Sequence, residues 1–379
     1  MSREKALWDR GIALFGEGQY SQALACLHAL EPSLRNDSRL LSNLGVIYRD
    51  SGDLARAEQY FRRLCATQPS DPGAHFNLAV TLLRAGRLPE GFAEYQWRWQ
   101  LPQFAPQRRD FPQPLWRGEP LDGRRILIWG EQGAGDGIQF IRYAPLVRQA
   151  GGDPTLEVLP HLERLISWMD GSYRVVNALS TGVEFDVHCP LMSLPERFRT
   201  ELDSIPPPAR FSIPSALRAK WSARLRTGLP AVGLVWAANP TYTNNAARSI
   251  PAALLARIVQ LPGIRCWGLQ VGPAAAETPA GVENLAGDLI DFAETAALIG
   301  QLDLVITVDT AVAHLAGSLG KPVWVLLAYA SDWRWLLDRT DSPWYPSMRL
   351  FRQKSPGEWP GVVDRVIGEL SAGPGLSGR

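Results

Sequence analysis

Three stretches of the chain gather residue types that can hold or move charge. The first, Gly130-Glu131-Gln132-Gly133-Ala134-Gly135-Asp136-Gly137-Ile138, runs from a short apolar segment into a helical pattern. The second, Asp309-Thr310-Ala311-Val312-Ala313-His314, does the same further along. The third, Ala237 to Pro251, is a polar loop with one strongly basic residue, Arg248, just before a helix. In open parallel sheets ligands collect beyond the carboxyl ends of strands, where helix N-termini present unpaired N–H groups.

Each stretch has two readings. Gly133-x-Gly135, with Glu157 on the following strand, invites a dinucleotide site, but that fingerprint places its third glycine at Ile138. Asp136 falls in the first turn of its helix, where a carboxylate either caps the helix or faces a cleft. Asp309 ends a Val- and Ile-rich strand, a costly place for a carboxylate without partners. Thr310, Ala311 and the amides after them can hold phosphate oxygens. His314, four residues after Thr310, lies on the same side, either toward that ligand or as a satisfied histidine above a capped helix. Arg248 can clamp a diphosphate in bidentate fashion or lie in a solvent-facing loop.

The elements that position these groups alternate. Strand patterns occur at Arg125–Trp129, Thr155–Leu159, Phe185–His188, Val232–Trp236, Arg265–Leu269, Leu304–Val308, Val323–Leu327 and Met348–Phe351. Helical patterns lie between them at Gly137–Gln149, Leu162–Met169, Ala216–Arg226, Ala252–Leu261, Phe292–Gln301 and Val312–Leu319. Such alternation predicts parallel sheets covered by helices on both faces. Pro206-Pro207-Pro208 and Pro214 split the region into two α/β domains, 124–210 and 211–370, with a cleft between them. A last helical pattern, Glu358 to Leu370, is placed to cross back to the first of them. The tail, 371–379, is Gly/Ser-rich and expected to be disordered.

Residues 1–100 are built differently, repeating at a spacing of 34. Gly18, Gly52 and Gly86 share a register, as do Gly11, Gly45 and Ala79; Leu14, Tyr48 and Leu82; Ala23, Ala57 and Gly91; and Leu27, Phe61 and Tyr95. The small residues at 11, 45 and 79 let the first helix of each repeat approach the second, and the glycines at 18, 52 and 86 end the first helix. Pro69 closes the second repeat. This pattern resembles the tetratricopeptide repeat, a stacking helix–turn–helix unit. Residues 101–123, with five prolines and neither periodicity, read as an extended connector laid on a surface through Phe104, Phe111 and Trp116.

Bulk properties narrow the class. The chain has 379 residues, 46% hydrophobic and 20% charged, with a net charge of +1. Several packed cores are expected, and nothing global favours nucleic acid or an anionic membrane. The repeats carry 12 basic and 11 acidic residues, so a protein fits them better than nucleic acid. The N-terminal residues do not read as a secretory signal, and the longest apolar stretch, Pro322–Ala330, is far short of the roughly 20 residues that span a bilayer. Cys26, Cys65, Cys189 and Cys266 form no CxxC pair, which fits a reducing cytoplasm.

Taken together, the words WGEQGAGDGIQFIRY (129–143), VGLVWAANP (232–240), RSIP (248–251), DFAETAALI (291–299), LVITVDTAVAHLAGSLGKP (304–322) and DWRWLLDRTDSPWYP (332–346) resemble the heptosyltransferase-type glycosyltransferases, family 9. The resemblance runs from about Trp116 to Gln353. It implies a GT-B fold, two Rossmann-like domains facing each other across a donor cleft, here behind the helical repeats. It implies Asp136 as general base, with Gln132, Gly133 and Gly135 in its loop. It places Asn239, Arg248, Ser249, Gln270, Asp309, Thr310, Ala311 and His314 around the donor's diphosphate and nucleotide. A carboxylate can take the proton from an attacking sugar hydroxyl, and Arg248 with a helix N-terminus can stabilise the leaving diphosphate.

No Asp-x-Asp pair occurs, so metal-independent inverting displacement from a nucleotide sugar is expected, with no metal and no other cofactor. The acceptor hydroxyl would belong to a protein bound at the repeats, in bacteria for instance flagellin, or to a lipid-linked or polysaccharide sugar. The chain departs from the family at Ala134, Gly137, Tyr242 and Asn245. Those departures leave a second reading, a catalytically inactive scaffold that binds a protein partner.

Overall fold

The computed structural model describes residues 3–177, 182–240 and 245–372, in two compact units. The first comprises Met1–Arg109 with two later segments, Arg199–Ser204 and Ala330–Asp338. Its helices come in pairs: α1 (Arg3–Gly16) with α2 (Tyr20–His28), α3 (Ser38–Ser51) with α4 (Leu54–Thr67), and α5 (Pro72–Arg84) with α6 (Leu88–Glu94). Asp37 caps α3 by accepting the amides of Arg39 and Leu40, and Asp53 and Asp71 cap α4 and α5. The helix α3 buries Leu40, Leu41, Leu44, Ile47 and Tyr48 on one side, the stripe that holds such a pair together.

The 34-residue columns have direct physical causes. Gly52 ends α3 in the left-handed region at φ 96°, and the Asp53 amide returns to the Tyr48 carbonyl, closing the helix. At the α3–α4 crossing, a methyl on Gly45 would lie 2.7 Å from the Phe61 ring, so only glycine admits that approach. The two later segments complete this unit. Leu202 packs beside the Gly86 turn. Trp333 meets Phe92 edge-on at 5.6 Å, and Trp335 is fully buried.

The second unit comprises Asp110–Phe198, Ile205–Tyr329 and Arg339–Arg379. Among the described residues it contains two sheets, parallel throughout. The first has the order β3-β2-β1-β4, from β1 (Arg125–Trp129), β2 (Asp153–Val158), β3 (Arg174–Asn177) and β4 (Val187–Pro190). The helices α7 (Ala134–Phe140) and α8 (Pro160–Ile166) follow β1 and β2. A helix, α9 (Ser215–Arg224), then leads into the second sheet.

That sheet holds β5 (Ala231–Val235), β6 (Arg265–Gly268), β7 (Glu283–Asn284), β8 (Leu304–Val308), β9 (Val323–Leu327) and β10 (Met348–Arg352), in the order β10-β9-β8-β5-β6-β7. Its helices are α10 (Ala252–Val259), α11 (Phe292–Ile299), α12 (Ala311–Ser318) and α13 (Trp359–Ser371). All five residues of β5 and of β8 are buried, the mark of a parallel strand covered on both faces.

One expectation needs correction. The last helix, α13, does not cross back to the first sheet. Its stripe of Val362, Val363 and Val366 is buried in the second sheet's core with Val232, Ile306 and Ile258. The connector lies against the first sheet, with an isolated parallel bridge from Leu115 to His188 and Trp116 buried. Strands β3 and β7 carried no legible pattern, being short and mostly only partly buried.

His188 gives this first sheet a testable pH dependence. It is buried beside Phe111, and its Nδ1 accepts a hydrogen bond from Trp129 Nε1 at 3.1 Å. Burial holds its pKa below the ordinary histidine value. The unfolded chain, titrating near pH ~6.5, therefore takes up the proton first. Stability from the neutral ring is complete above that pH and is lost as pH falls toward the folded value. The melting temperature of the wild type should fall more steeply as pH drops below about 6.5 than that of His188→Gln, whose amide oxygen still accepts from Trp129. Equal slopes would show that His188 is not the titrating group.

Candidate active site

Each sheet has one point where the chain reverses its direction of growth. In the first, β1 leads outward to β2 and β3, and β4 returns to the other side of β1. In the second, β5 leads to β6 and β7, and β8 returns to the other side of β5. At such a switch point the loops leaving adjacent strands diverge and open a crevice. Apart from Gln270, which follows β6, the candidate residues follow β1, β5 and β8, three of the four strands at these points.

After β1 the backbone is held tightly. Gln132 sits at φ 63°, a left-handed conformation uncommon for a residue with a side chain. The buried Glu131 accepts the amide of Met192, which ties the loop after β1 to the one after β4. Asp136 is the third residue of α7, half-buried, and its Oδ2 accepts the Gly133 amide at 2.9 Å. The carboxylate thus caps its own helix.

After β5 the polar side chains shape the loop. Gln270 Oε1 accepts the amides of Trp236 and Ala237 at 3.1 and 2.9 Å. Ser249 Oγ accepts the Ala238 amide at 3.1 Å and donates to Asn245 Oδ1 at 3.0 Å. Asn239 is exposed between them. Tyr242 lies outside the described residues. Arg248 ends a short helix, Asn245–Arg248, and reaches the next loop.

There its Nη2 lies 3.2 Å from Asp309 Oδ2 and also donates to the Asp309 main-chain oxygen. Asp309, 7% exposed, therefore has the partner that its burial at the end of β8 demands. Thr310 Oγ1 turns back to Thr307 Oγ1 at 3.1 Å, and α12 opens at Ala311. His314 is buried, with Nδ1 3.2 Å from the Tyr345 hydroxyl.

The two sheets' sites come together where α7 meets α12. A methyl on Gly135 would lie 3.0 Å from His314 Cδ2 and 3.5 Å from Ala311 Cα. The residue before Asp136 thus rests on the first turn of the helix that follows Asp309. A second junction joins α8 to α11: Arg164 Nη2 is 2.9 Å from Asp291 Oδ1 and 3.5 Å from Glu294 Oε1. Among the described residues, no group of three or more His, Cys, Asp or Glu is gathered as for a metal ion.

Comparison with known proteins bears on this arrangement. Residues 270–364, which span β7 through the end of β10 and into α13, match glycosyltransferase family 9 (heptosyltransferase), and residues 9–72 and 43–97 match the tetratricopeptide repeat. Tetratricopeptide repeats therefore precede a family 9 glycosyltransferase domain.

Protein FlbA of Caulobacter vibrioides is 29% identical over 327 residues, 78% of this chain. The chain spans 54% of that relative's length. The crystal structure of the family 9 glycosyl transferase from Veillonella parvula aligns over 68% of this chain and 99% of its own, at 13% identity and TM-score 0.48. The ADP-heptose lps heptosyltransferase II of E. coli aligns over 65% and 98%, at 14% identity and TM-score 0.47.

Sequence reading of the second unit missed two groups at its α7–α12 junction. Arg142, 2% exposed, donates to the main-chain oxygens of Gln139, Pro206 and Trp344. Tyr345, 0% exposed, holds His314. Both stood inside quoted family words, at Ile141-Arg142-Tyr143 and Trp344-Tyr345-Pro346, but neither carried a local pattern marking it as part of a site.

Proposed function

We propose that the chain is a glycosyltransferase that moves a sugar from a nucleotide-activated donor to an acceptor hydroxyl, with a GT-B arrangement of its two sheets. One observation carries this reading. The Asp136 helix rests at Gly135 on the strand-to-helix turn Asp309–His314, whose Asp309 is paired with Arg248. A carboxylate and an anion-holding helix N-terminus then face one crevice, the two charges that an in-line displacement at an anomeric carbon requires.

Asp136 takes the acceptor proton as the new bond forms. Arg248 and the α12 N-terminus take up the charge on the departing diphosphate, so the transfer proceeds without a metal and with inversion. Gln270 and Ser249 keep the β5 loop open to the donor. The helical repeats hold a protein that carries the acceptor hydroxyl, and the reducing cytoplasm is the compartment of the reaction.

A panel of nucleotide sugars with adenine, guanine and uracil bases, followed for release of the nucleoside diphosphate, tests the proposal. One donor should be consumed, and a protein captured by the repeats should gain the mass of one sugar residue. If no nucleotide sugar is consumed and no nucleoside diphosphate raises the melting temperature, the chain is a protein-binding scaffold and the transfer reading is wrong.

A further inference from the structure

His314 is held in an unusual amount of structure for a residue on the first turns of a helix. Three residues after it on α12 comes Gly317, and a methyl there would lie 2.5 Å from Tyr345 Cγ and 2.7 Å from Cδ1. The missing side chain at 317 is therefore the socket into which the Tyr345 ring fits. Seated there, Tyr345 is completely buried and brings its hydroxyl to 3.2 Å from His314 Nδ1. Opposite, the Arg142 guanidinium lies 4.7 Å from the centre of the Tyr345 ring. Arg142 stands in the turn directly after α7, and its hydrogen bond to the Trp344 oxygen, at 2.9 Å, clamps the segment that carries Tyr345.

The imidazole is thus fixed from one side, and its other edge is aimed. A methyl on Gly135 would come to 3.0 Å from Cδ2 and 3.7 Å from Nε2, so that edge faces the helix bearing Asp136. The two ring nitrogens are chemically distinct, and the hydrogen bond at one decides the proton at the other. A phenol is the natural donor to a bare imidazole nitrogen.

We propose that Tyr345 is a positioning residue: its hydroxyl donates to His314 Nδ1, fixes the tautomer with the proton on Nε2, and holds that N–H in the crevice, on the edge facing the helix that bears Asp136. The role assigned to the N–H rests on the glycosyl-transfer reading; the tautomer does not. Tyr345 touches neither donor nor acceptor. It acts by removing the ring's freedom to rotate or to carry its proton on the wrong nitrogen. Outer partners that orient a metal-ligating imidazole in this way are commonly worth about 10- to 100-fold, and a loss of the same order is expected here.

The experiment uses the full chain labelled with ¹⁵N-histidine. The five histidines give five pairs of ring signals, and His314→Gln identifies the pair sought. In the wild type, Nδ1 of His314 should have the chemical shift of a bare nitrogen and Nε2 that of a protonated one. On titration with ADP, GDP or UDP, the Nε2–H signal should move for the nucleotide that binds. In Tyr345→Phe, the single tautomer should give way to a mixture. With the nucleotide sugar that supports turnover, kcat should fall about 10- to 100-fold while the donor's KM changes by less than about threefold.

Gly317→Ala, which keeps the hydroxyl but blocks its seat, should reproduce both effects. Its melting temperature and that of Tyr345→Phe separate a moved ring from an unfolded domain. A wild-type His314 with its proton on Nδ1 overturns the proposal, as does a Tyr345→Phe protein with wild-type tautomer and kcat. If the wild type consumes no nucleotide sugar, the transfer reading fails, and the nitrogen shifts still decide whether Tyr345 sets the tautomer.

Discussion

Asp136→Asn should lower turnover by about 10²- to 10⁴-fold and leave nucleoside diphosphate binding within about twofold of wild type. The substitution separates the residue's two roles. Asp136 Oδ2 accepts the Gly133 amide at 2.9 Å, a bond that the amide oxygen of asparagine makes equally well. The cap on α7 is therefore retained, and the loss of such a cap, about 0.5–2 kcal/mol, does not arise. What asparagine cannot do is receive a proton from an attacking hydroxyl. Single-turnover measurements with saturating donor would isolate the chemical step, and melting curves would confirm the retained cap. An Asp136→Asn enzyme with full turnover would leave the carboxylate as a cap alone and move the base elsewhere.

How much of this was legible in the sequence depends on the range over which each feature is encoded. The repeats were legible because the spacing of 34 reports a local cause, the left-handed turn at Gly52 and the helix crossing at Gly45, and it recurs. The strands Arg125–Trp129, Leu304–Val308 and Val323–Leu327 stand at their expected bounds, since strands buried on both faces are nearly continuous apolar runs.

The destination of α13 was not legible. Its valine stripe states that one face is buried but not against which sheet. Nor was the recruitment of residues 199–204 and 330–338 to the helical unit, where Trp335 is buried more than two hundred residues from the repeats in sequence. The candidate site divides in the same way. Asp136, Arg248, Asp309 and His314 stood out because each is a charged or polar group at the end of an apolar strand or the start of a helix. Arg142 and Tyr345 follow no such pattern, and the bond from Arg142 to Trp344 spans 202 residues.

Arg248→Ala should cost about 10²- to 10³-fold in turnover, the usual loss when one group that stabilises transition-state charge is removed. It should also lower stability, and the pair with Asp309 explains why. Asp309 is 7% exposed and has Arg248 Nη2 at 3.2 Å. Breaking a wholly buried pair costs about 3–5 kcal/mol, because one charge remains where water cannot compensate it. The Arg248 side chain keeps 23% of its exposure, so solvent screens the pair and a loss of about 1–3 kcal/mol is the better expectation.

The stability loss and the catalytic loss can be taken apart with Arg248→Ala combined with Asp309→Asn. Removing both charges takes away the uncompensated carboxylate, so the melting temperature should return most of the way to wild type. Turnover should stay as low as in Arg248→Ala, since the diphosphate still departs without its cation. A double variant that regained turnover would mean that Arg248 serves only to neutralise Asp309, and the charge on the leaving group would then fall to the α12 N-terminus alone.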